Sequence, residues 1–198
     1  MAAPPLLLLA SMSPRRSALL TQIGVPHRIA APHLDERVLP GESAADYVLR
    51  MARGKARALA RAPGALPVLA ADTSVVLDEA ILGKPADAAA GAAMLLALAG
   101  RTHEVLTAVA LASDAGLSVR LSASRVRFRA IAPAEAGRYW ASGEPRDKAG
   151  GYAVQGLGAV FIEHLEGSYS GVMGLPLFET AALLAAAGVP LWPAPGAA

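Results

Sequence analysis

Apolar runs and helical stripes alternate along the chain, with clear punctuation between them. Leu6 to Leu9 predicts a short buried strand, and the hydroxyl-rich Ser11-Met12-Ser13 turns out of it. A helix follows, with Ser13 placed to cap it, Pro14 at its first position and Gly24 at the left-handed position past its end. Val25 to Leu34 reads as a second strand ending at Asp35-Glu36. Ser43, with Asp46 three residues on, opens a helix on which Tyr47, Met51, Lys55 and Leu59 recur at four-residue spacing. Lys55 thus shares a stripe with apolar neighbours, where a lysine either snorkels to solvent or meets a buried anion. Val68 to Ala71 predicts a buried strand delivering Asp72-Thr73 at its end; Val75 to Leu77 stays extended, and Asp78-Glu79 turns the chain back through Ile81-Leu82 to Gly83-Lys84-Pro85. Asp87 caps a helix with Met94, Leu95 and Leu98 inward and Gly100 as its stop. Glu104 to Ala112 and Leu117 to Ala130, joined by Ser113-Asp114-Ala115-Gly116, predict a long hairpin. A short helix near Pro133 to Ser142, a Gly-rich section from Asp147 to Gly158, a strand at Val160 to Leu165 and a closing helix at Leu177 to Ala187 complete the pattern. The Pro- and Ala-rich tail from Pro190 to Ala198 is expected to be loose. Strands alternating with helices predict an α/β domain with a mixed sheet, without a central linker or a solenoid-period repeat.

Composition narrows the chemistry. A chain of 198 residues, 54% hydrophobic, suits one domain with a sizeable core, or one unit with two lobes. Lys plus Arg is 18 against 16 for Asp plus Glu, so no global basic field exists, and aromatics are only 5%; specific nucleic-acid binding is not expected. Cysteine is absent, which excludes disulfides and thiolate chemistry. Leu6 to Leu9 is too short for a signal peptide and its positive charge follows rather than precedes it, and no stretch approaches the ~20 apolar residues of a membrane span. A cytoplasmic protein is the expectation. Histidines 27, 33, 103 and 164 have no close ligand spacing, so no zinc site is expected. Trp140 and Tyr139 read as core or as a base-stacking pair.

The stretch Ala10-Ser11-Met12-Ser13-Pro14-Arg15-Arg16 carries the most information. Two arginines in a first helical turn oppose the dipole and crowd free backbone N–H groups, an arrangement that suits a bound anion such as a phosphate chain; by itself it also fits a helix start with two solvated arginines. Taken in order with Ala71-Asp72-Thr73, Gly83-Lys84-Pro85, Gly143-Glu144-Pro145-Arg146-Asp147-Lys148-Ala149-Gly150, Val154-Gln155-Gly156 and Gly174-Leu175-Pro176-Leu177, this stretch resembles the Maf family of nucleoside triphosphate pyrophosphatases. The resemblance runs from Leu8 to about Leu184.

What the resemblance implies is a single domain over residues 1–198 with an elongated mixed sheet flanked by helices, two lobes with a cleft between them (Maf or inosine-triphosphatase-like), and a homodimer. It implies hydrolysis between the α and β phosphates, giving a monophosphate and pyrophosphate. Arg15, Thr73 and Gln155 match the subgroup acting on dTTP and UTP and set specificity; a 7-methyl-GTP or purine preference, or a non-catalytic regulator of septum formation, are the alternatives. Roles in clearing unwanted nucleotides and in cell-division arrest are further implications.

Such chemistry needs cationic clamps, a divalent metal and an oriented water. Ser11, Ser13, Arg15, Arg16, Lys55 and Lys84 are the substrate-binding candidates, and Glu36 and Asp72 the candidates to hold Mg²⁺ or Mn²⁺. Asp72 is the candidate proton acceptor, as base, metal ligand or both, although an aspartate at its reference pKa of about 3.9 is a poor base at neutral pH. Gln155 carries an acceptor and donors, suited to a uracil or thymine edge. Asp147-Lys148 reads as a structural ion pair or as part of the chemistry. Two departures from the family pattern stand out: Gly54, where a glutamate commonly precedes the lysine, and Gly151 with Ala153, where Ala and Gly are usual.

Overall fold

The computed structural model describes residues 4–60 and 64–192; most of the tail expected to be loose, residues 193–198, lies outside them. In chain order the elements are β1 (Leu7–Ala10), α1 (Pro14–Gln22), β2 (His27–Ala30), α2 (Ala44–Leu59), β3 (Val68–Leu77), β4 (Ala80–Leu82), α3 (Ala88–Leu98), β5 (Thr102–Ser113), β6 (Gly116–Phe128), α4 (Pro133–Ala141), β7 (Ile162–Glu166), α5 (Tyr169–Met173) and α6 (Leu177–Ala186). Three 3₁₀ turns, Glu144–Asp147, Ala149–Gly151 and Leu157–Phe161, replace regular structure in the Gly-rich section. The strands form one mixed sheet in the order β2-β1-β3-β5-β6-β7, with β4 paired to β3. β2, β1 and β3 run parallel, and the remaining pairs are antiparallel. This is an α/β fold with a mixed sheet flanked by helices.

Local chemistry accounts for the element ends. Pro14 starts α1, and Gly24 takes φ +71 just beyond it. Ser43 Oγ accepts from Asp46 N, and Asp87 Oδ1 accepts from Ala90 N, each capping its helix. Asp78 and Glu79 both have positive φ, 48° and 67°, the paired left-handed conformation that a two-residue hairpin between β3 and β4 demands.

Three expectations need correction. Ser13 stands at the N-cap position of α1, but its side chain makes no capping bond; its amide donates instead to Ser11 Oγ at 3.2 Å. The second strand stops at Ala30 rather than reaching Leu34, because its partner β1 turns away after Ala10 and leaves nothing to pair with. Asp72 does not end a strand. β3 runs unbroken for ten residues, since β5 pairs with it from Val68↔Ala112 to Val76↔Glu104, straight across the polar Asp72-Thr73-Ser74.

The other edge of β3 is what makes the site. β1 pairs with it only at Val68 and Leu69, and β4 only from Val75. Between these pairings, Ala70 to Ser74 presents an edge with no strand beside it among the described residues. Alternation along β3 then splits its side chains between two layers. Leu69 and Ala71 pack with Leu7, Leu9, Leu20, Leu175 and Leu184. Val68 and Ala70 pack with Val48, Ala52 and Ala56 of α2, where small side chains let the helix lie close to the sheet. A third cluster, with Val75, Leu95, Leu98, Phe128, Tyr139, Tyr152 and Phe161, builds the far end.

Candidate active site

A hollow of about 580 Å³ opens over the unpaired edge of β3, within the ~300–1,000 Å³ usual for small-molecule sites. Ser11, Ser13, Arg15, Arg16, Glu36, Lys55, Asp72, Thr73, Lys84 and Gln155 all line it. They arrive from the β1–α1 turn, the loop after β2, α2, β3, the loop after β4 and the Gly-rich section. All ten residues singled out from the sequence therefore share one cavity. Its other walls are largely apolar, including Val75, Val105, Tyr152, Val154, Val172 and Met173.

Neighbouring positions on β3 serve the two faces of the sheet. Asp72 shares a face with α2, and Lys55 comes from that helix; the Lys55 ammonium lies 2.7 Å from Asp72 Oδ1 and 2.7 Å from Glu36 Oε1. Lys55 therefore meets a buried anion instead of snorkelling outward. Asp72 is only 7% exposed, and burial raises its pKa against the opposing pull of Lys55 and Arg16. Glu36 is held in place by the backbone of its loop. The Tyr47 hydroxyl donates to the Glu36 carbonyl, and burial next to Asp72 and Glu36 pushes that phenol up to about 12, so it stays protonated. Gly54 has a physical role here. A Cβ on it would lie 2.7 Å from Leu34 Cδ2, so glycine lets the loop that carries Glu36 rest directly on α2.

Thr73 points to the opposite face, toward α1 and α5. The Arg16 guanidinium donates to Gly174 O at 2.8 Å, Ser11 Oγ at 3.1 Å and Thr73 Oγ1 at 3.3 Å. Burial lowers its pKa, opposed by Asp72, and it remains a cation. Thr107 of β5 lies opposite Thr73, 2.8 Å from Gly171 O, which can only accept, so the single Thr107 hydrogen goes there. The 3.0 Å contact between the two threonine hydroxyls then uses the Thr73 hydrogen, leaving Thr73 Oγ1 to accept from Arg16. Thr107 was not legible in the sequence: it is one hydroxyl inside the apolar run Val105 to Leu111, and only strand register gives it a partner.

Arg15 reaches Asp147 at 3.5 Å, and Lys148 lies 2.6 Å from the same carboxylate, tying the β1–α1 turn to the Gly-rich section. Lys84 is exposed at the rim and makes no ion pair among the described residues. Gln155 is exposed and lines the cavity. Gly151, one of the departures noted above, takes φ +67, which glycine adopts without strain. Trp140 and Tyr139 do not line the hollow: Tyr139 is buried in the third core cluster, and Trp140 packs on Gly91 of α3.

Two carboxylates converge on one point occupied by an ammonium, while no group of three or more His, Cys, Asp or Glu side chains is gathered as a metal cage among the described residues. That donor set suits a cation that prefers oxygen ligands and takes most of its coordination from water or a phosphate chain, as Mg²⁺ does.

A family model described as Maf-like protein matches residues 6–187. The chain is 54% identical over 190 residues to a dTTP/UTP pyrophosphatase of Saccharophagus degradans, covering 94% of this chain and 90% of that protein. It is 56% identical over 183 residues to a dTTP/UTP pyrophosphatase of Methylobacillus flagellatus, covering 91% and 92%. Among solved structures, that of the Staphylococcus aureus Ham1 protein superposes with a TM-score of 0.45 at 15% identity over 79% of each chain.

Proposed function

We propose that this chain, which belongs to the Maf family, hydrolyses dTTP and UTP between the α and β phosphates, releasing the monophosphate and pyrophosphate. One observation carries the reading: cations from separate parts of the sequence meet the acids Glu36 and Asp72 in a single hollow that also has a largely apolar wall. The cationic end suits a triphosphate and the apolar end, with Gln155 at its edge, suits a base.

In this reading Ser11, Ser13, Arg15, Arg16, Lys55 and Lys84 bind the phosphate chain. Arg16 is preset by its three partners, so little is lost in ordering it when substrate arrives. Asp72 accepts the proton of the attacking water. Burial moves its proton affinity toward the operating pH, which eases the mismatch of an ordinary aspartate acting as base. Glu36 and Asp72 hold a divalent cation, Mg²⁺ or Mn²⁺, which when bound lowers the cost of charge developing on the phosphates. Gln155 reads the base through its amide, whose acceptor and donors match the N3–H and carbonyl of uracil or thymine, and Arg15 and Thr73 complete the specificity set. Thr73 does so at one remove, through the position it gives Arg16. By resemblance to the family, the reading extends to a single domain with the hollow between two lobes, to a cytoplasmic homodimer, and to roles in nucleotide-pool sanitation and cell-division arrest. Among the described residues no helix is long and apolar enough to cross a membrane.

A panel of nucleoside triphosphates assayed for released pyrophosphate, with Mg²⁺ and with Mn²⁺, tests the proposal. dTTP and UTP should be turned over fastest, and Asp72→Asn should abolish turnover while dTTP still binds. Preference for GTP or 7-methyl-GTP, or full turnover by Asp72→Asn, would overturn the substrate or the base assignment respectively.

A further inference from the structure

Gln155 sits on a strap, Ala153–Gly158, that leads into the 3₁₀ turn Leu157–Phe161; Gly156 N donates to Ala153 O at 3.3 Å and Gly156 O accepts from Ala159 N at 3.1 Å. The strap is held from behind by one side-chain pair. Glu144 Oε1 accepts from Gly158 N at 2.9 Å and from the Tyr139 hydroxyl at 2.7 Å, and Glu144 Oε2 accepts from Leu157 N at 2.9 Å. The Tyr139 oxygen in turn accepts from Ala153 N at 3.1 Å. Both ends of the strap are thereby tied to the same two residues, by hydrogen bonds of which those to the carboxylate are charge-assisted. The fit is close. A Cβ on Gly156 would overlap the Glu144 carboxylate, and one on Gly158 would come 2.6 Å from the Tyr139 oxygen. The pair is anchored in turn: Tyr139 packs edge-on to Phe161 at 5.1 Å, and the Glu144 carbonyl accepts from Lys148 Nζ at 2.7 Å. Neither Tyr139 nor Glu144 lines the hollow.

We propose that Tyr139 and Glu144 form a clamp that sets where the Gln155 amide stands, and so set selectivity for a uracil or thymine base without touching the substrate. The inference rests on the reading of Gln155 given above. A base edge is read by hydrogen bonds that tolerate only about half an ångström of error, which an unsupported strap cannot guarantee. The residues are positioning residues, so their loss weakens base recognition and leaves the phosphate chemistry intact.

Two substitutions test it. Tyr139→Phe keeps the ring in the core and removes both of its hydrogen bonds, and Glu144→Gln turns an acceptor into a donor facing one of the two amides. Hydrogen exchange over Ala153–Gly158 reads the clamp directly and needs no substrate: exchange should speed by about tenfold or more in either variant. Kinetically, KM for dTTP and UTP should rise by about tenfold with kcat within about twofold, and the preference for dTTP over dCTP should fall. Added to Gln155→Ala, neither substitution should lower that preference further. Unchanged exchange in both variants overturns the clamp whatever the enzyme prefers. Equal loss of kcat for every triphosphate, or a selectivity loss that adds in full to that of Gln155→Ala, overturns its role in base recognition. A parent enzyme that prefers another base would refute the substrate reading and with it the uracil or thymine selectivity, but not the clamp, which the exchange result reads without substrate.

Discussion

Replacing Lys55 by methionine tests the electrostatics at the centre of the site. The ammonium lies 2.7 Å from both Asp72 Oδ1 and Glu36 Oε1, and it is the one hydrogen-bond donor to the Asp72 side chain among the described residues. Methionine keeps the length of the apolar stem and removes the charge. Glu36, whose side chain is 55% exposed, can turn to water at small cost. Asp72 cannot, and is left as a buried charge without a partner. Breaking a buried pair from one side costs about 3–5 kcal/mol. Arg16 still attracts Asp72, and Asp72 can take up a proton, so Lys55→Met belongs at the lower end, about 3 kcal/mol. Asp72→Asn leaves Lys55 beside half-exposed Glu36 and should cost less, about 1 kcal/mol. The double variant should recover most of the loss, because neither member of the Lys55–Asp72 pair is left as a buried charge facing the other's replacement. Urea unfolding measures these differences: at about 1–3 kcal/mol per M, a loss of about 3 kcal/mol lowers the midpoint by roughly 1–3 M. The acid limb of the pH–rate profile should also move to higher pH, since Lys55 is the cation that most opposes protonation of Asp72. Losses that simply add in the double variant, or a Lys55→Met protein within about 0.5 kcal/mol of the parent, would refute this account.

Lys84→Ala should slow pyrophosphate release on the order of 10²–10³, the usual effect of losing one preorganised donor, and a change under about threefold would assign this exposed lysine to the surface. Thr107→Val keeps the shape of the side chain but leaves Gly171 O and Thr73 without their partner; urea unfolding should show a loss of about 1–3 kcal/mol, and a neutral result would dissolve the threonine relay. His103 is buried, with its Nε2 and the Tyr152 hydroxyl 2.8 Å apart, and burial lowers its pKa from 6.5 to about 4. Between those values the unfolded chain binds a proton that the folded chain does not, so stability falls as pH drops from 6.5 toward 4, by about 2 kcal/mol between pH 7 and pH 5. Asp72, raised by burial, acts in the opposite sense just above its ordinary 3.8, where the folded chain takes up the proton first. Unfolding midpoints at pH 5 and pH 7 should therefore differ more in the parent than in His103→Phe, and equal differences would remove His103 from the account.

Much of the architecture was legible because its causes are local. Pro14 and Gly24 bound a helix by backbone geometry, Ser43 and Asp87 cap helices three residues ahead, and Asp114-Ala115 joins two long runs of strand-forming residues. Each of these rests on contacts within a few positions of the chain. Apart from the Ser13 cap, which failed through a local contact with Ser11, the errors came where a partner distant in sequence had the deciding contact. Asp72-Thr73-Ser74 looks like the end of a strand until β5 supplies pairing across it, and Val25 to Leu34 looks long until β1 runs out at Ala10. Lys55 could have snorkelled or met an anion; what answers the question is Asp72, 17 residues away on a different element. The residue types of the site were thus determined by the sequence. Which oxygen faces which nitrogen was decided only when strand register and helix packing brought them within 3 Å, because such bonds act over a far shorter distance than the loops that separate their partners along the chain.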